Sequence, residues 1–172
     1  DFLVEKPPAM SAQELEPIAD LVRSKELKMA CCYSYRYKPS ARYIRQLVAD
    51  GKMGRIYHID MEYSQSLGLL SIPGHETTLE WRFQRAFAGT GTLGDLGAHM
   101  LDLVRFTTGL EYDSLIANMG RFVDKRKATS WPLTTTEQVD VDDYAHIMGT
   151  MENAASYNLR TTRLAYGRGN YQ

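Results

Sequence analysis

Apolar residues recur at helical spacing in three stretches of the chain. The first follows the capping box Ser11-Ala-Gln-Glu14. The second begins at Pro39 and ends at Gly51, which are residue types favoured at these two ends of a helix. The third runs from about Leu93 to Thr108 and is followed by a glycine. Each stretch has one apolar face that a core can cover, so the pattern predicts three helices.

Strand patterns separate and follow these helices. Residues 28–35 are apolar and aromatic, which predicts a buried strand, and residues 55–64 alternate between polar and apolar side chains. Three more strands are predicted at residues 114–122, 144–151 and 155–163. Residues 65–91 are predicted to form a long functional loop, and the polar residues 124–140 a second loop. Because the consecutive late strands need antiparallel links, we expect an α+β fold with an open mixed, largely antiparallel β-sheet and helices covering one face.

Composition and charge limit the classes of protein that fit. The 172 residues are 44% hydrophobic and 24% charged with a net charge of −1, as in an ordinary globular domain. The sequence has no block of like charges and no apolar run of about 18 residues, so we expect neither a nucleic-acid nor a membrane partner. Cys31 and Cys32 are adjacent within an apolar run. We interpret them as small core residues of a cytoplasmic protein, because the cytosol keeps thiols reduced.

The third predicted helix carries the candidate chemistry. Asp95, His99, Asp102 and Phe106 follow one another at intervals of four, three and four, so Asp95 and His99 can point into one cleft. A polar face that only contacts water is the simplest alternative. A metal site built from Asp95, His99 and Asp102 is another, although one histidine without a cysteine is a thin ligand set. Lys6 adds a candidate cation because it follows an apolar strand, and strand ends in α/β proteins border ligand crevices.

A glycine pattern in front of this helix resembles a nucleotide-binding motif. Gly89-Thr-Gly91-Thr-Leu-Gly94 matches G-x-G-x-x-G, but the true motif must follow a buried strand. The preceding residues 81–87 contain two arginines and are too polar for a central parallel strand. We therefore interpret the glycines as allowing a ligand or another backbone to approach closely. A cofactor site, where one exists, would lie mostly outside this sequence.

Two motifs carry a family resemblance. Glu5-Lys6-Pro7 resembles the E-K-P pattern of the Gfo/Idh/MocA family, named for glucose–fructose oxidoreductase, inositol dehydrogenase and MocA. The segment from Gly94 to His99 resembles the glycine-flanked D-x-G-x-H pattern of the same family. Other similar segments extend the resemblance over nearly the whole chain: residues 35–39, 51–56, 81–82, 141–144 and 163–167. The chain departs from the family where Thr90 interrupts a run of glycines and where Ala154 replaces a turn glycine.

The resemblance implies a division of the chain into two parts. Residues 1–8 would be the remnant of the last strand of a Rossmann domain, and residues 9–172 a substrate-binding and oligomerisation domain that is incomplete at its C-terminus. Family members begin with a complete Rossmann domain, so the expectation is a truncated chain that is inactive alone and binds a cofactor poorly. The open sheet is expected to join two or four copies of the protein.

The resemblance also implies an activity, the oxidation of a sugar, polyol or related alcohol by hydride transfer to NAD or NADP. His99 would accept the hydroxyl proton, Asp95 would bind a hydroxyl, and Lys6 would stabilise the alkoxide. Lys6 and Pro7 would contact the cofactor, and no metal is expected. The candidates for the substrate pocket have aromatic or planar polar side chains: Tyr35, Gln65, Trp81, Arg82 and Tyr166. The alternatives are a non-catalytic scaffold member of the family and a metal-dependent hydrolase that uses Asp95 and His99.

Overall fold

Helices and strands alternate over the part of the chain that the structure, a computed structural model, describes: residues 1–69, 71–72, 75–76, 81–127, 136–167 and 169–171. The helices are α1 (Ala12–Ser24), α2 (Pro39–Ala49), α3 (Arg85–Ala88) and α4 (Ala98–Thr108), with 3₁₀ turns at Ser34–Tyr37 and Trp81–Phe83 and a π-helical turn at Leu93–Gly97. The strands are β1 (Phe2–Val4), β2 (Met29–Cys31), β3 (His58–Gln65), β4 (Ser71–Ile72), β5 (His75–Glu76), β6 (Tyr112–Gly120), β7 (Lys125–Lys127), β8 (Thr136–Gln138), β9 (Tyr144–Met151), β10 (Ser156–Thr162) and β11 (Gly169–Tyr171). None of the helices in these ranges combines the length and apolar character that a membrane-spanning helix requires.

The largest sheet has five strands in the order β11-β3-β10-β9-β6. β3 and β10 run parallel, whereas the other three neighbouring pairs are antiparallel. The pairing register places Tyr157 of β10 between Ile59 of β3 and Gly149 of β9. This mixed, largely antiparallel sheet confirms the predicted α+β class, and β9 matches the predicted strand at residues 144–151 at both ends.

One face of the five-stranded sheet carries the hydrophobic core. Alternate residues of β9 and β10 point to this face, and the π-helical turn and α4 pack on it. The apolar stripe along residues 93–108 predicts this packing. The buried side chains from both layers are Leu96, Met100, Val104, Ile147, Met151, Tyr157 and Leu159. Burying a Leu or Met side chain contributes about 1.5–3 kcal/mol, so the apolar stripe anchors this helix to the sheet. Its polar side chains are thereby held in fixed positions.

The opposite face of the sheet is largely exposed within the described residues. It presents mostly polar side chains, interrupted by Ile116 and Met148, which are 73% and 51% exposed. β6 is exposed on both of its faces and lies at the edge of the sheet, where β9 is its one neighbour among the described strands. The expected self-association through this open face stays a prediction.

β1 and β2 form a separate two-stranded sheet. They pair in parallel and are connected by α1, so residues 2–31 form a βαβ unit. The capping box that predicts the start of α1 is confirmed, because Ser11 Oγ accepts a hydrogen bond from the Glu14 N–H at 3.2 Å. The unit places Glu5, Lys6 and Pro7 directly after β1, at the carboxyl end of a parallel strand.

The structure corrects the predictions for residues 28–35 and for the two long loops. The strand ends at Cys31, and the chain then turns through residues 34–37 instead of continuing as a buried strand. Cys31 and Cys32 are free thiols of intermediate burial rather than core residues, because β1 is the only neighbour of β2 among the described strands. The first predicted loop contains β4, β5 and α3, and the second contains the antiparallel pair β7 and β8.

A buried carboxylate fixes the start of the helical segment 93–108, which consists of the π-helical turn and α4. Asp142 accepts hydrogen bonds from the Gly91 N–H at 2.7 Å and the Leu93 N–H at 2.8 Å. These bonds satisfy N–H groups that a helix start leaves unpaired, and the negative charge complements the helix dipole. A Cβ on Gly91 would lie 2.0 Å from the Asp142 carbonyl oxygen, so this glycine allows another backbone to approach closely.

Candidate active site

The structure brings Lys6 and Asp95 together, although 89 positions separate them in the chain. Lys6 follows β1 and is joined to Pro7 by a cis peptide bond, and Asp95 lies in the π-helical turn. Lys6 Nζ donates hydrogen bonds to Asp95 Oδ1 at 2.8 Å and to the Asp95 carbonyl oxygen at 2.6 Å. The two side chains are 15% and 24% exposed, so the ion pair is shielded from most solvent without being sealed off.

Asp95 is surrounded by three positively charged side chains. In addition to Lys6, Arg163 Nη2 lies 3.3 Å and Arg82 Nε 3.9 Å from Asp95 Oδ2. Burial alone would raise the pKa of Asp95, but the hydrogen bond from Lys6 and the charges of all three cations together lower this pKa below its ordinary value. Asp95 is therefore ionised at neutral pH and is available as a hydrogen-bond acceptor.

His99 lies one helical turn after Asp95 and is only 9% exposed. Its ring centre is 4.4 Å from that of Tyr35, and its Nδ1 is buried without a hydrogen-bond partner. Burial and the positive charge of Lys6 together lower the pKa of His99 to about 4, while the charges of Asp95, Asp102 and Glu5 oppose the shift. The imidazole is therefore neutral at pH 7 and can accept a proton.

The free energy of unfolding should fall as the pH drops from about 6.5 to about 4. In this window the unfolded chain binds a proton at His99, whereas the folded protein, in which the pKa of His99 is about 4, does not. We expect a loss of roughly 2 kcal/mol between pH 7 and pH 4.5, less than the full pKa difference implies, because pH 4.5 still lies above the folded-state pKa of about 4. Equilibrium denaturation of the chain at pH 7 and pH 4.5 measures the loss.

The variant His99→Gln should flatten this pH dependence, since glutamine does not titrate. His146→Gln is the matched control, because His146 lies on the exposed face of the sheet. A pH dependence that is equally steep in His99→Gln and in the unaltered chain would contradict the assignment to His99.

A cavity of about 280 Å³ opens beside the pair of Lys6 and Asp95. Its wall also includes Pro7, Trp81, Arg82 and Arg163. His99 is not part of the described wall, so the predicted shared cleft forms for Asp95 but not for His99. The prediction rests on α-helical stacking of residues four apart, whereas Asp95 lies in a π-helical turn and His99 in the first turn of α4.

Three of the five predicted substrate residues can be placed relative to the cavity directly. Trp81 and Arg82 lie in its wall, and the Arg82 guanidinium carbon is 4.4 Å from the centre of the Trp81 ring. Tyr166 is 86% exposed and is not part of the described wall. The structure therefore places Trp81 and Arg82 at the cavity and Tyr166 in solvent.

The other two predicted substrate residues, Tyr35 and Gln65, belong to a group of side chains beside His99. Tyr35 packs on the imidazole, and its hydroxyl lies 2.5 Å from the hydroxyl of Tyr63. The Gln65 side-chain amide donates a hydrogen bond to the same Tyr63 hydroxyl at 3.1 Å. These contacts hold the His99 ring in place, and neither Tyr35 nor Gln65 is part of the described cavity wall.

Asp102, the third polar residue of the predicted helix face, is held by Arg36. Arg36 Nε donates to Asp102 Oδ2 at 2.8 Å, and Arg36 Nη2 donates to Oδ1. The carboxylates of Asp102 and Asp95 are thus engaged by Arg36 and Lys6. Within the described ranges, no three or more His, Cys, Asp or Glu side chains are arranged to bind a metal. The hypothesis of a metal site at Asp95, His99 and Asp102 is therefore not supported.

The sequence patterns gave no indication of Arg163. This side chain is 1% exposed, contacts Asp95 through Nη2, and donates from Nη1 to the Arg82 carbonyl oxygen at 3.2 Å. Arg163 directly follows β10, and an arginine at a strand end is usually exposed. The only available signal was its place in the segment 163–167 that resembles the family.

Comparison with known sequences relates the chain to one family. The family described as GFO/IDH/MocA C-terminal domain matches residues 41–172. Levoglucosan dehydrogenase of Pseudarthrobacter phenanthrenivorans is 30% identical over 180 residues, which cover 99% of this chain and 45% of that protein. Glucose-6-phosphate 3-dehydrogenase of Bacillus subtilis is 27% identical over 164 residues, which cover 94% of this chain and 43% of that protein. The chain thus spans about half the length of the curated relatives it matches.

Comparison with solved structures gives the same relation. Levoglucosan dehydrogenase in complex with NADH and levoglucosan superposes with a TM-score of 0.87 at 30% identity, covering 98% of this chain and 43% of that chain. An oxidoreductase domain protein from Kribbella flavida superposes with a TM-score of 0.87 at 34% identity, covering 98% of this chain and 45% of that chain.

Proposed function

The chain belongs to the Gfo/Idh/MocA family of oxidoreductases, and on this basis we propose that the complete protein oxidises a CH–OH group of a sugar or polyol by hydride transfer to NAD or NADP. The observation that carries the proposal is the contact between Lys6 and Asp95 in the wall of a cavity. At this cavity a cation that can stabilise a developing alkoxide lies beside a hydrogen-bond acceptor that can orient a hydroxyl group. The relatives named as sugar dehydrogenases support the substrate class.

The proposed reaction removes a proton from the substrate oxygen and a hydride from the carbon that bears it, and the C–OH group becomes a carbonyl. The nicotinamide ring, when bound, supplies the hydride acceptor. His99 takes the hydroxyl proton, since the low pKa of His99 keeps the imidazole neutral at pH 7. The Lys6 ammonium stabilises the negative charge that develops on the oxygen. Asp95 accepts a hydrogen bond from a neighbouring hydroxyl and thereby orients the sugar.

The residues of this chain that can hold the cofactor are Lys6 and Pro7. Both lie in the cavity wall and directly after β1, and the carboxyl ends of parallel strands are where nucleotide-binding folds place their ligands. A Lys6 ammonium also suits the polar ribose and carboxamide groups of a nicotinamide nucleotide. The weak binding of NAD or NADP expected of residues 1–172 alone stays a prediction.

We also propose a domain boundary later than residue 8. Residues 2–31 form a parallel βαβ unit, which is the building block of nucleotide-binding sheets, and the family match begins only at residue 41. On this basis residues 1–31 belong to the cofactor side of the cavity. Residues from about 41 onward belong to its substrate side.

The alternative function, a non-catalytic scaffold, is less consistent with the partly buried charges around Asp95. Removing a charge from water is costly unless it is paired, and Asp95 is partly buried among three cations at a cavity. A domain that only associates through its sheet needs none of these charges. The same surroundings are useful to an enzyme that must bind and polarise a hydroxyl group.

The test is a substrate panel assayed with the complete protein. Levoglucosan, glucose, glucose 6-phosphate and L-sorbose are incubated with NAD, NADP and their reduced forms, and the absorbance of the reduced nicotinamide is followed. We expect turnover of at least one sugar, and a loss of most of it in Asp95→Asn. Asp113→Asn, which alters an exposed carboxylate at the start of β6, is the matched control. A folded protein that turns over no sugar with either cofactor would contradict the proposal.

A further inference from the structure

We propose that Arg163 is a positioning residue that fixes the carboxylate of Asp95 in the cavity wall and couples it to the segment that carries Trp81 and Arg82. This inference rests on the proposed dehydrogenase function and adds to it a residue that does not react itself. Lys6 takes one carboxylate oxygen of Asp95, and Arg163 takes the other. Rotation of the carboxylate is therefore restrained from both oxygens.

The contacts of Arg163 distinguish positioning from substrate binding. Its Nη2 donates to Asp95 Oδ2 at 3.3 Å, and its Nη1 donates to the Arg82 carbonyl oxygen at 3.2 Å. Although Arg163 lines the cavity, its side chain is 1% exposed, and both terminal nitrogens are directed at protein acceptors. The guanidinium thus acts on a substrate through Asp95 and through the backbone of Arg82.

A stack of side chains holds the Arg163 guanidinium from behind. Phe83 is fully buried, and the guanidinium carbons of Arg163 and Arg126 lie 5.2 Å and 4.1 Å from the centre of its ring. Arg126 in turn donates from Nη2 to the Gly68 carbonyl oxygen at 3.1 Å. Cation–π contacts of this kind are stabilising, and more so when desolvated. The stack leaves Arg163 little freedom to move away from Asp95.

Burying the charged side chain of Arg163 costs free energy that an apolar side chain at the same position would not cost. Its Nε is buried without a hydrogen-bond partner, and burial lowers its pKa, while the charge of Asp95 opposes that shift. A methionine of similar length would fill the same volume beside Phe83 without an unsatisfied donor. The charge therefore has a use at this position, and Asp95 is the carboxylate that Arg163 contacts.

A double-mutant cycle in the complete protein tests the inference. Arg163→Met removes the charge at similar length, and we expect kcat/KM for the best sugar of the panel to fall roughly 10- to 100-fold, as expected for loss of a charged hydrogen bond. In an Asp95→Asn background the same change should cost several-fold less than in the unaltered protein, because only the contact with the Arg82 carbonyl oxygen is then left to lose. Arg163→Lys, which keeps the charge, should recover part of the loss.

The matched control is Arg160→Met. Arg160 lies on β10, which Arg163 directly follows. Its side chain is 50% exposed, and its ion pair with Glu62 is on the open face of the sheet. It should stay within about twofold of the unaltered protein. Equal losses from Arg163→Met in both backgrounds, with no recovery in Arg163→Lys, would assign Arg163 a structural role and overturn the inference.

Stability and activity measurements keep the outcomes distinct. Thermal unfolding shows whether Arg163→Met is folded. If it is unfolded, the loss of kcat/KM caused by Arg163→Lys is compared between the unaltered and the Asp95→Asn backgrounds instead, because this variant retains the cation. An active unaltered protein with an unaffected Arg163→Met variant would overturn this inference and leave the proposed function standing. An unaltered protein inactive toward every sugar would overturn both.

Discussion

Replacement of His99 by alanine should lower kcat by roughly 10²- to 10⁴-fold, the usual contribution of a general base. The proton of the substrate hydroxyl then loses its proposed acceptor. In the folded protein His99 is neutral at pH 7 because burial and the charge of Lys6 lower its pKa to about 4. Its ring is held by Tyr35, whose hydroxyl bonds to Tyr63, so the imidazole is fixed before a substrate arrives.

The initial rate of nicotinamide reduction at saturating sugar measures this change. His99→Gln, which keeps most of the volume but has no basic nitrogen, should lose a similar factor, and free imidazole in the buffer should restore part of the activity of His99→Ala. His146→Gln is the control, because it removes a histidine from the exposed face of the sheet. A folded His99→Ala variant with unaltered kcat would refute the assignment of His99 as the base.

His99 lies outside the described cavity wall, so the proposed proton transfer requires the hydroxyl of the sugar to reach beyond Asp95. The Nδ1 of His99 is buried without a hydrogen-bond partner, so the other ring nitrogen, Nε2, is the candidate acceptor of the hydroxyl proton.

Local sequence signals predicted the parts of the fold that local chemistry determines. The capping box at Ser11 gave the start of α1, and Gly51 and Gly109 occupy left-handed backbone conformations just after α2 and α4. The alternation of apolar residues predicted both end residues of β9 correctly, because one face of that strand is buried. These signals depend on residues within one or two turns of each other, so they can be read without the tertiary structure.

Long-range contacts could not be predicted in the same way. Asp142 caps a helix start 51 residues before it in the sequence, and Arg163 contacts Asp95 across 68 residues. Nothing in the neighbourhood of either residue marks it as buried. The convergence of Lys6 and Asp95 could be expected only because two motifs together resembled one family.

The segment from Lys28 to Tyr35 shows why apolar composition alone is ambiguous. Its aromatic residues are typical of a buried strand, but the strand ends at Cys31. Beyond that point the Tyr35 ring packs on His99 and its hydroxyl on Tyr63. The aromatic character of the segment therefore contributes to the candidate site and not to a longer strand.

Replacement of Lys6 by methionine should lower kcat by roughly 10²- to 10³-fold, the range found when one donor to a developing oxyanion is removed. The change has a second expected effect. The charge of Lys6 follows burial among the causes that lower the pKa of His99, so its removal should raise that pKa toward 6.5. Because neutral His99 is needed, the acidic limb of the pH profile of kcat/KM should then move to higher pH.

The direction of this shift separates a role in the reaction from a role in folding. Asp95, Asp102 and Glu5 raise the pKa of His99 both with and without the ammonium, so the loss of Lys6 leaves burial as the cause that lowers this pKa. Lys6→Arg keeps a cation beside Asp95 and should retain the position of the acidic limb. Lys25→Met, which removes an exposed lysine at the end of α1, should leave both kcat and the profile unchanged. A Lys6→Met variant with kcat within a few fold of the unaltered protein, and an unshifted acidic limb, would restrict Lys6 to holding Asp95 in place.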